Sequence, residues 1–212
     1  MKKQIIILAA CAAMITVAAV PSSGADEKGK AHEEPAILDG MMKAAWKKIA
    51  PEEYRARLEQ DETQKTCSLY RNQPPKDVAD KIIAREKAAV VFPADGKVTG
   101  DWKKGEKVAQ SGRGGQFSDA ADTVNGGNCY ACHQLDKKEV SFGTIGPSLA
   151  GYGRLKNFSP EAARDTFAKV YNSQTVVACS NMPRFGAHKF LTEEQMKDAV
   201  ALLFDPESPV NK

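Results

Sequence analysis

Cys129-Tyr130-Ala131-Cys132-His133 reads C-x-x-C-H, the spacing of covalent c-type haem attachment. On a helical turn, positions i, i+3 and i+4 share one face. Cys129 and Cys132 would then form thioethers to the haem vinyl groups, while the His133 imidazole reaches the iron from the same side. A bare C-x-x-C leaves thiol–disulfide exchange or half a zinc site open. The adjoining His133 favours haem over these readings and over a chance cluster. No second C-x-x-C and no H-x3-5-H exists to complete a zinc site.

The N-terminus points to export. In residues 1–25, Lys2 and Lys3 supply a charged start, Ile5 to Val20 an apolar stretch, and Ser23-Gly24-Ala25 a small-residue cleavage site. The apolar run is short for a membrane span, so no span is expected. Leu8-Ala9-Ala10-Cys11 also looks like a bacterial lipobox, which would leave Cys11 lipidated. Cleavage there would strand the apolar Met14–Val20 segment at the new N-terminus, so a soluble periplasmic product is the expected form. An oxidising compartment suits thiols destined for haem or disulfides. Loss of Lys2 and Lys3 lowers the formal charge from +3 to +1. Neither nucleic-acid binding nor strong attraction to an anionic membrane follows from that balance.

Helical periodicity dominates the remainder, which is expected to be all-α. Residues 26–95 read as a helical extension. Within Ile37 to Gln64, the residues Leu38, Met41, Met42, Ala45, Trp46 and Ile49 form an apolar stripe that Pro51 interrupts or restarts. The Met41–Met42 pair reads as packing, and His32 lies in polar sequence. A further helix is expected from Pro75 through Val78, Ile82 and Ile83 to Val91. Pro93-Ala94-Asp95-Gly96 is a turn and the expected boundary of a haem domain over 96–212. In that domain Asp101 to Ser111 reads as a helix with Trp102, Gly105, Val108 and Ala109 inward. Gly112 to Asn128 reads as a loop. Ser159-Pro160-Glu161 opens a helix carrying Ala163, Phe167, Val170 and Tyr171. Thr192 to Gln195 is a capping box before Met196, Ala199, Val200 and Leu203. Gly105 would allow a close crossing of the first and last helices.

Cys67 and Cys179 remain once the signal and haem cysteines are set aside. An even pair in an oxidising compartment predicts a Cys67–Cys179 disulfide. Two separate buried thiols, or a thiol held for a partner chain, are the alternatives.

His133 takes one iron position; the candidates for the other are Met182, Met196, His188, Cys179 and lysines. Met196 sits on an apolar stripe that already explains it. Met182 stands before Pro183 in the non-helical Ser180–Phe185 segment, where a loop can wrap the haem's far face. Met182 is therefore the expected axial ligand, on the precedent of His/Met ligation. A thioether raises the reduction potential and closes the coordination sphere, which favours electron transfer over substrate binding at iron. A peroxidase or gas sensor would instead need an open iron position. The carbonyl of Pro147 is a candidate acceptor for the second ring N–H of His133, with a plain Gly-Pro turn as the alternative. Arg154 and Arg184 are candidate partners of the haem propionates, or solvated surface charges.

These features together resemble a class I cytochrome c with a helical N-terminal extension. More closely, Gly143-Thr144-Ile145-Gly146-Pro147-Ser148-Leu149, Tyr171-Asn172-Ser173-Gln174 and Cys179 to Gly186 resemble the SoxX family. The run from Leu191 into Met196-Lys197-Asp198 and Leu202 does so too. The likeness covers roughly residues 98–212. It implies one covalently bound haem c and a periplasmic heterodimer with SoxA. The SoxAX complex joins thiosulfate oxidatively to a cysteine of the carrier SoxYZ, an S-thiosulfotransferase activity. In that scheme the catalytic haem belongs to SoxA, and this chain only passes electrons to a soluble cytochrome c. A free-standing periplasmic carrier cytochrome is the alternative.

Overall fold

The computed structural model describes residues 59–116, 118–120 and 122–212. The signal over 1–25, Cys11, His32 and the stripe from Leu38 to Ile49 lie outside them. The described residues are helical and contain no strand.

Among the described residues six α-helices follow one another: α1 Glu62–Leu69, α2 Lys76–Ala88, α3 Trp102–Gln110, α4 Tyr152–Leu155, α5 Pro160–Tyr171 and α6 Glu193–Phe204. Side-chain caps fix their starts. Asp61 and Gln64 form a reciprocal capping box on α1, and Thr192 with Gln195 does the same on α6. Ser159 accepts from the Ala162 N–H while Pro160 fills the first position of α5. Asp101 accepts from the Lys103 N–H to open α3. Helix α1 was not expected as a separate element; the Asp61 cap opens it and it runs on to Leu69.

The main core is built from α3, α5 and α6. Val108, Ala109, Phe167, Val170, Val200 and Leu203 meet there, with Leu135 and Val210 closing the ends. Helices α3 and α6 cross closely because Gly105 has no side chain: a Cβ at that position would collide with the Asp198 carbonyl. The C-terminal tail finishes α6. Asn211 Nδ2 donates to the Leu203 and Asp205 carbonyls at 3.0 and 2.9 Å, satisfying groups that a helix end leaves unpaired.

A second, smaller core joins the extension to the domain. Ile82 of α2 packs with Cys67 and Cys179, backed by Val78 and Ala178. Helix α2 also lies against a short 3-10 turn at Ser173–Thr175. The described part of the extension is therefore built into the domain's packing.

Candidate haem site

The C-x-x-C-H segment is a single 3-10 turn, Cys129–Ala131, rather than an α-helix. The Cys132 and His133 N–H groups both donate to the Cys129 carbonyl, at 3.1 and 2.9 Å. That double bond to one acceptor wraps the chain so that the two sulfurs and the imidazole stay grouped. Asn128 enters the turn with φ of 47°, a left-handed conformation that asparagine tolerates. The preceding backbone is tied to the end of α3 by Gly127 N–H to Val108 O at 2.8 Å and Asn128 N–H to Ser111 O at 2.9 Å.

His133 is held from two sides. Its Nδ1 lies 2.7 Å from the Pro147 carbonyl oxygen. A carbonyl can only accept, so Nδ1 carries the hydrogen and the lone pair sits on Nε2, free for a metal. The ring also lies flat on Gly146, where any Cβ would collide with it. Gly146 N–H donates to the Cys132 carbonyl at 2.8 Å, which closes the 133–146 loop back onto the motif.

Cys129 and Cys132 are not bonded to each other. Burial pushes the Cys129 thiol up to about 11. A thiol–disulfide exchange site needs the opposite shift, towards thiolate. Among the described residues no group of three or more His, Cys, Asp or Glu side chains could hold a metal ion. Redox exchange and zinc both fit this chemistry poorly. Two thiols, an imidazole with its lone pair on Nε2 and a thioether are the donor set that suits a covalently bound haem.

Met182 is the expected source of that thioether. It packs against the same main core as Cys129, Tyr130, Leu149 and Phe190, all partly buried. Its N–H donates to Ser180 Oγ at 3.2 Å, and its carbonyl accepts from Ser173 Oγ at 2.6 Å. Met196 is buried within α6, as its stripe requires. His188 lies in the same segment as Met182, and burial, reinforced by Arg184, holds its pKa below the usual histidine value.

Cys67 and Cys179 form a disulfide with Cα atoms 5.4 Å apart. Arg184 is neither a solvated charge nor turned to the surface. Its Nη1 donates to Asp61 at 2.5 Å and its Nη2 to Glu86 at 3.3 Å, with its side chain 12 % exposed. The carboxylates of the extension claim it. Arg154 instead reaches the chain's end, donating to the Lys212 carbonyl at 3.3 Å. Glu86 was not singled out in the sequence, yet it gathers Thr63, Asn172, Arg85 and Arg184 around one buried carboxylate. Burial pushes its pKa up, but those donors and charges outweigh burial and hold it below the ordinary value.

A family model described as cytochrome c matches residues 113–204, the stretch that spans Cys129, His133 and Met182. The chain therefore contains a cytochrome c domain. This cytochrome is also 39 % identical, over 202 residues, to an uncharacterized lipoprotein of Aquifex aeolicus (strain VF5), covering 92 % of this chain and 93 % of the relative. A cytochrome c domain implies covalently bound haem c and a role in electron transfer. No helix among the described residues is long and apolar enough to cross a membrane.

Proposed function

We propose that this cytochrome carries one haem c, fixed through Cys129 and Cys132 with His133 and Met182 as iron ligands, and serves as the electron-transfer subunit of a SoxAX-type complex. Haem c supplies reversible one-electron exchange between ferric and ferrous iron. The chain's own part is to set that centre. Pro147 keeps the His133 proton on Nδ1, Gly146 orients the ring, and the core around Tyr130, Leu149 and Phe190 limits water. Met182 closes the sixth position and raises the potential, so the centre accepts electrons rather than binding substrate.

The observation that carries the reading is the Cys179–Gly186 segment. It has the SoxX-like sequence, and within it Met182 lies beside a disulfide that pins the extension. A permanent, packed extension supports a subunit with a stable partner more than a minimal carrier. Val140 and Ile145, exposed in the loop after the attachment motif, offer apolar contact area. On this reading SoxA is the partner, SoxYZ presents the cysteine, and a soluble cytochrome c receives the electrons.

The leader over 1–25 is read as an export signal to the periplasm. The relative's name, lipoprotein, favours lipid attachment at Cys11 over the freely soluble product expected from the leader alone. In an anchored form the apolar Met14–Val20 segment would lie at the lipid surface rather than in water. Mass analysis of the mature N-terminal peptide decides between the two.

Purification from native cells tests the main proposal. Expected are co-purification with a second haem protein and thiosulfate-dependent reduction that requires both that partner and a cysteine-bearing carrier. A monomer that exchanges electrons with several oxidases, and never with a thiosulfate-oxidising partner, would overturn it.

A further inference from the structure

We infer that the helical extension is a brace for the iron ligand: the Cys67–Cys179 disulfide and the Glu86 carboxylate are positioning groups that hold the Met182 thioether in the coordination sphere. The inference rests on the axial role proposed above for Met182.

Met182 lies outside any helix, between α5 and α6. Its backbone is set by the Ser173 hydroxyl on one side and the Ser180 hydroxyl on the other. Residues next to both anchors, Asn172 and Cys179, are tied to the extension. Glu86 of α2 accepts from Asn172 Nδ2 at 2.6 Å, and Asn172 is the cap that opens the Ser173–Thr175 turn. The same carboxylate accepts from Arg184 Nη2 at 3.3 Å, two residues beyond Met182. One side chain thus grips the segment before and after the ligand. Asp61, the cap of α1, takes the other arm of Arg184.

The disulfide adds a covalent pin three residues before Met182. Cys179 sits at φ 58°, a left-handed conformation that residues with a Cβ seldom adopt. Its N–H donates to Gln174 Oε1 at 2.5 Å. A turn of that kind persists only where its surroundings impose it, and here the imposing bonds come from α1 and the 173–175 turn.

The small core around Ile82 does not include Met182. A cavity of about 310 Å³ opens between α1 and the loop, lined among others by Gln64, Ser68, Asn181, Met182 and His188. Discrete bonds span the seam instead. Removing one member of a buried carboxylate–guanidinium pair leaves the other charge unpaired, so Glu86 and Arg184 hold each other, and the loop, in place. Release of the loop raises the population of conformers with Met182 off the iron, and His188 on the same segment offers a competing nitrogen.

The test compares holo-cytochromes of wild type, Met182→Ala, the double variant Cys67→Ala/Cys179→Ala, and Glu86→Gln. The readouts are the far-red thioether–ferric charge-transfer band, the midpoint potential and the rate of cyanide binding. Thermal unfolding is followed in parallel, so that each reading is taken where the protein is folded. Met182→Ala is expected to abolish the band. The double variant and Glu86→Gln are expected to weaken it, lower the potential and speed cyanide binding while folded. A wild-type band and potential in both braced-site variants overturns the brace and leaves the Met182 assignment standing. A band that survives Met182→Ala overturns the assignment and the brace with it. Should the double variant not fold, Glu86→Gln decides alone, because Gln keeps one acceptor oxygen for Asn172 and can donate its amide to the Thr63 hydroxyl, but gives up the charge that holds Arg184.

Discussion

Gly105 of α3 rests directly on the backbone of Asp198 in α6, so closely that a methyl group there would overlap the Asp198 carbonyl and approach Leu202 Cβ at 3.1 Å. The contact is reinforced alongside it. The Asp198 carboxylate accepts from the Asp101 N–H at 2.7 Å, and the Lys197 carbonyl accepts from the Gly100 N–H at 3.0 Å. The crossing of these two helices sets the frame on which the 126–133 segment hangs. Backbone cannot yield as a flexible side chain can. Gly105→Ala should therefore destabilise by about 1–3 kcal/mol or more, the range for overpacking a tight core. Denaturant unfolding monitored by circular dichroism would measure it, and an unchanged midpoint would show that α3 and α6 can separate freely.

The Glu86 network predicts a pH dependence. Glu86 and Asp61 both sit below their ordinary carboxylate values: burial opposes this for each, and hydrogen bonds together with Arg184 outweigh it. A carboxyl that binds protons less readily when folded than when unfolded contributes stability above its unfolded pKa. That contribution disappears as pH falls through the folded value. The unfolding midpoint should hold from neutral pH down to the ordinary carboxylate range and then drop. In Glu86→Gln the acid drop should be shallower, with a lower plateau at neutral pH. An identical acid limb in the two proteins would remove Glu86 from the account.

Local signals carried much of this architecture in readable form. Ser159-Pro160 and the Thr192–Gln195 box announce α5 and α6 because capping chemistry is confined to four or five residues. The C-x-x-C-H motif is legible for a similar reason: attachment to a fixed macrocycle dictates the spacing of its sulfurs. The 3-10 form of Cys129–Ala131 is too short to leave any periodicity. Helix α1 carries no clear apolar stripe of its own, although the Asp61–Gln64 pair marks its start. The role of Glu86 has no local sign at all. Its partners Asn172 and Arg184 lie 86 and 98 positions away, and a charged residue on an amphipathic helix usually faces water. Only the folded chain shows why Arg184 turns from the surface to the extension.

Gly146 offers a probe of the imidazole that spares every chemical ligand. Its Cα faces the His133 ring, and a Cβ would strike the ring itself. Gly146→Ala should tilt the ring and lengthen its bond to the Pro147 carbonyl, now 2.7 Å. Weaker basicity at Nε2 and a strained approach to iron follow. The expected result is lower haem retention during maturation and faster cyanide or carbon monoxide binding to the holo-protein, with a stability loss of about 1–3 kcal/mol from overpacking. Ligand-binding kinetics identical to wild type would mean that the ring has room to move.

The cysteine pair gives the most direct chemical test. The disulfide closes a separation of 112 positions, and both half-cystines are 7 % exposed. Unreduced, denatured protein treated with a thiol reagent should therefore carry no label on Cys67 or Cys179. After reduction both should label, and their sulfurs should be reached only once the small core around Ile82 has opened. On the chain-entropy model a loop of this length stabilises by about 4–5 kcal/mol, an upper figure because denatured chains are already compact. Reduced protein should accordingly unfold at markedly lower denaturant than oxidised protein. The loss should appear even in the apo-form, since the bond acts on the unfolded chain and needs no haem. Quantitative labelling of both thiols without reductant, under anaerobic handling, would show instead that the extension is held without a covalent link.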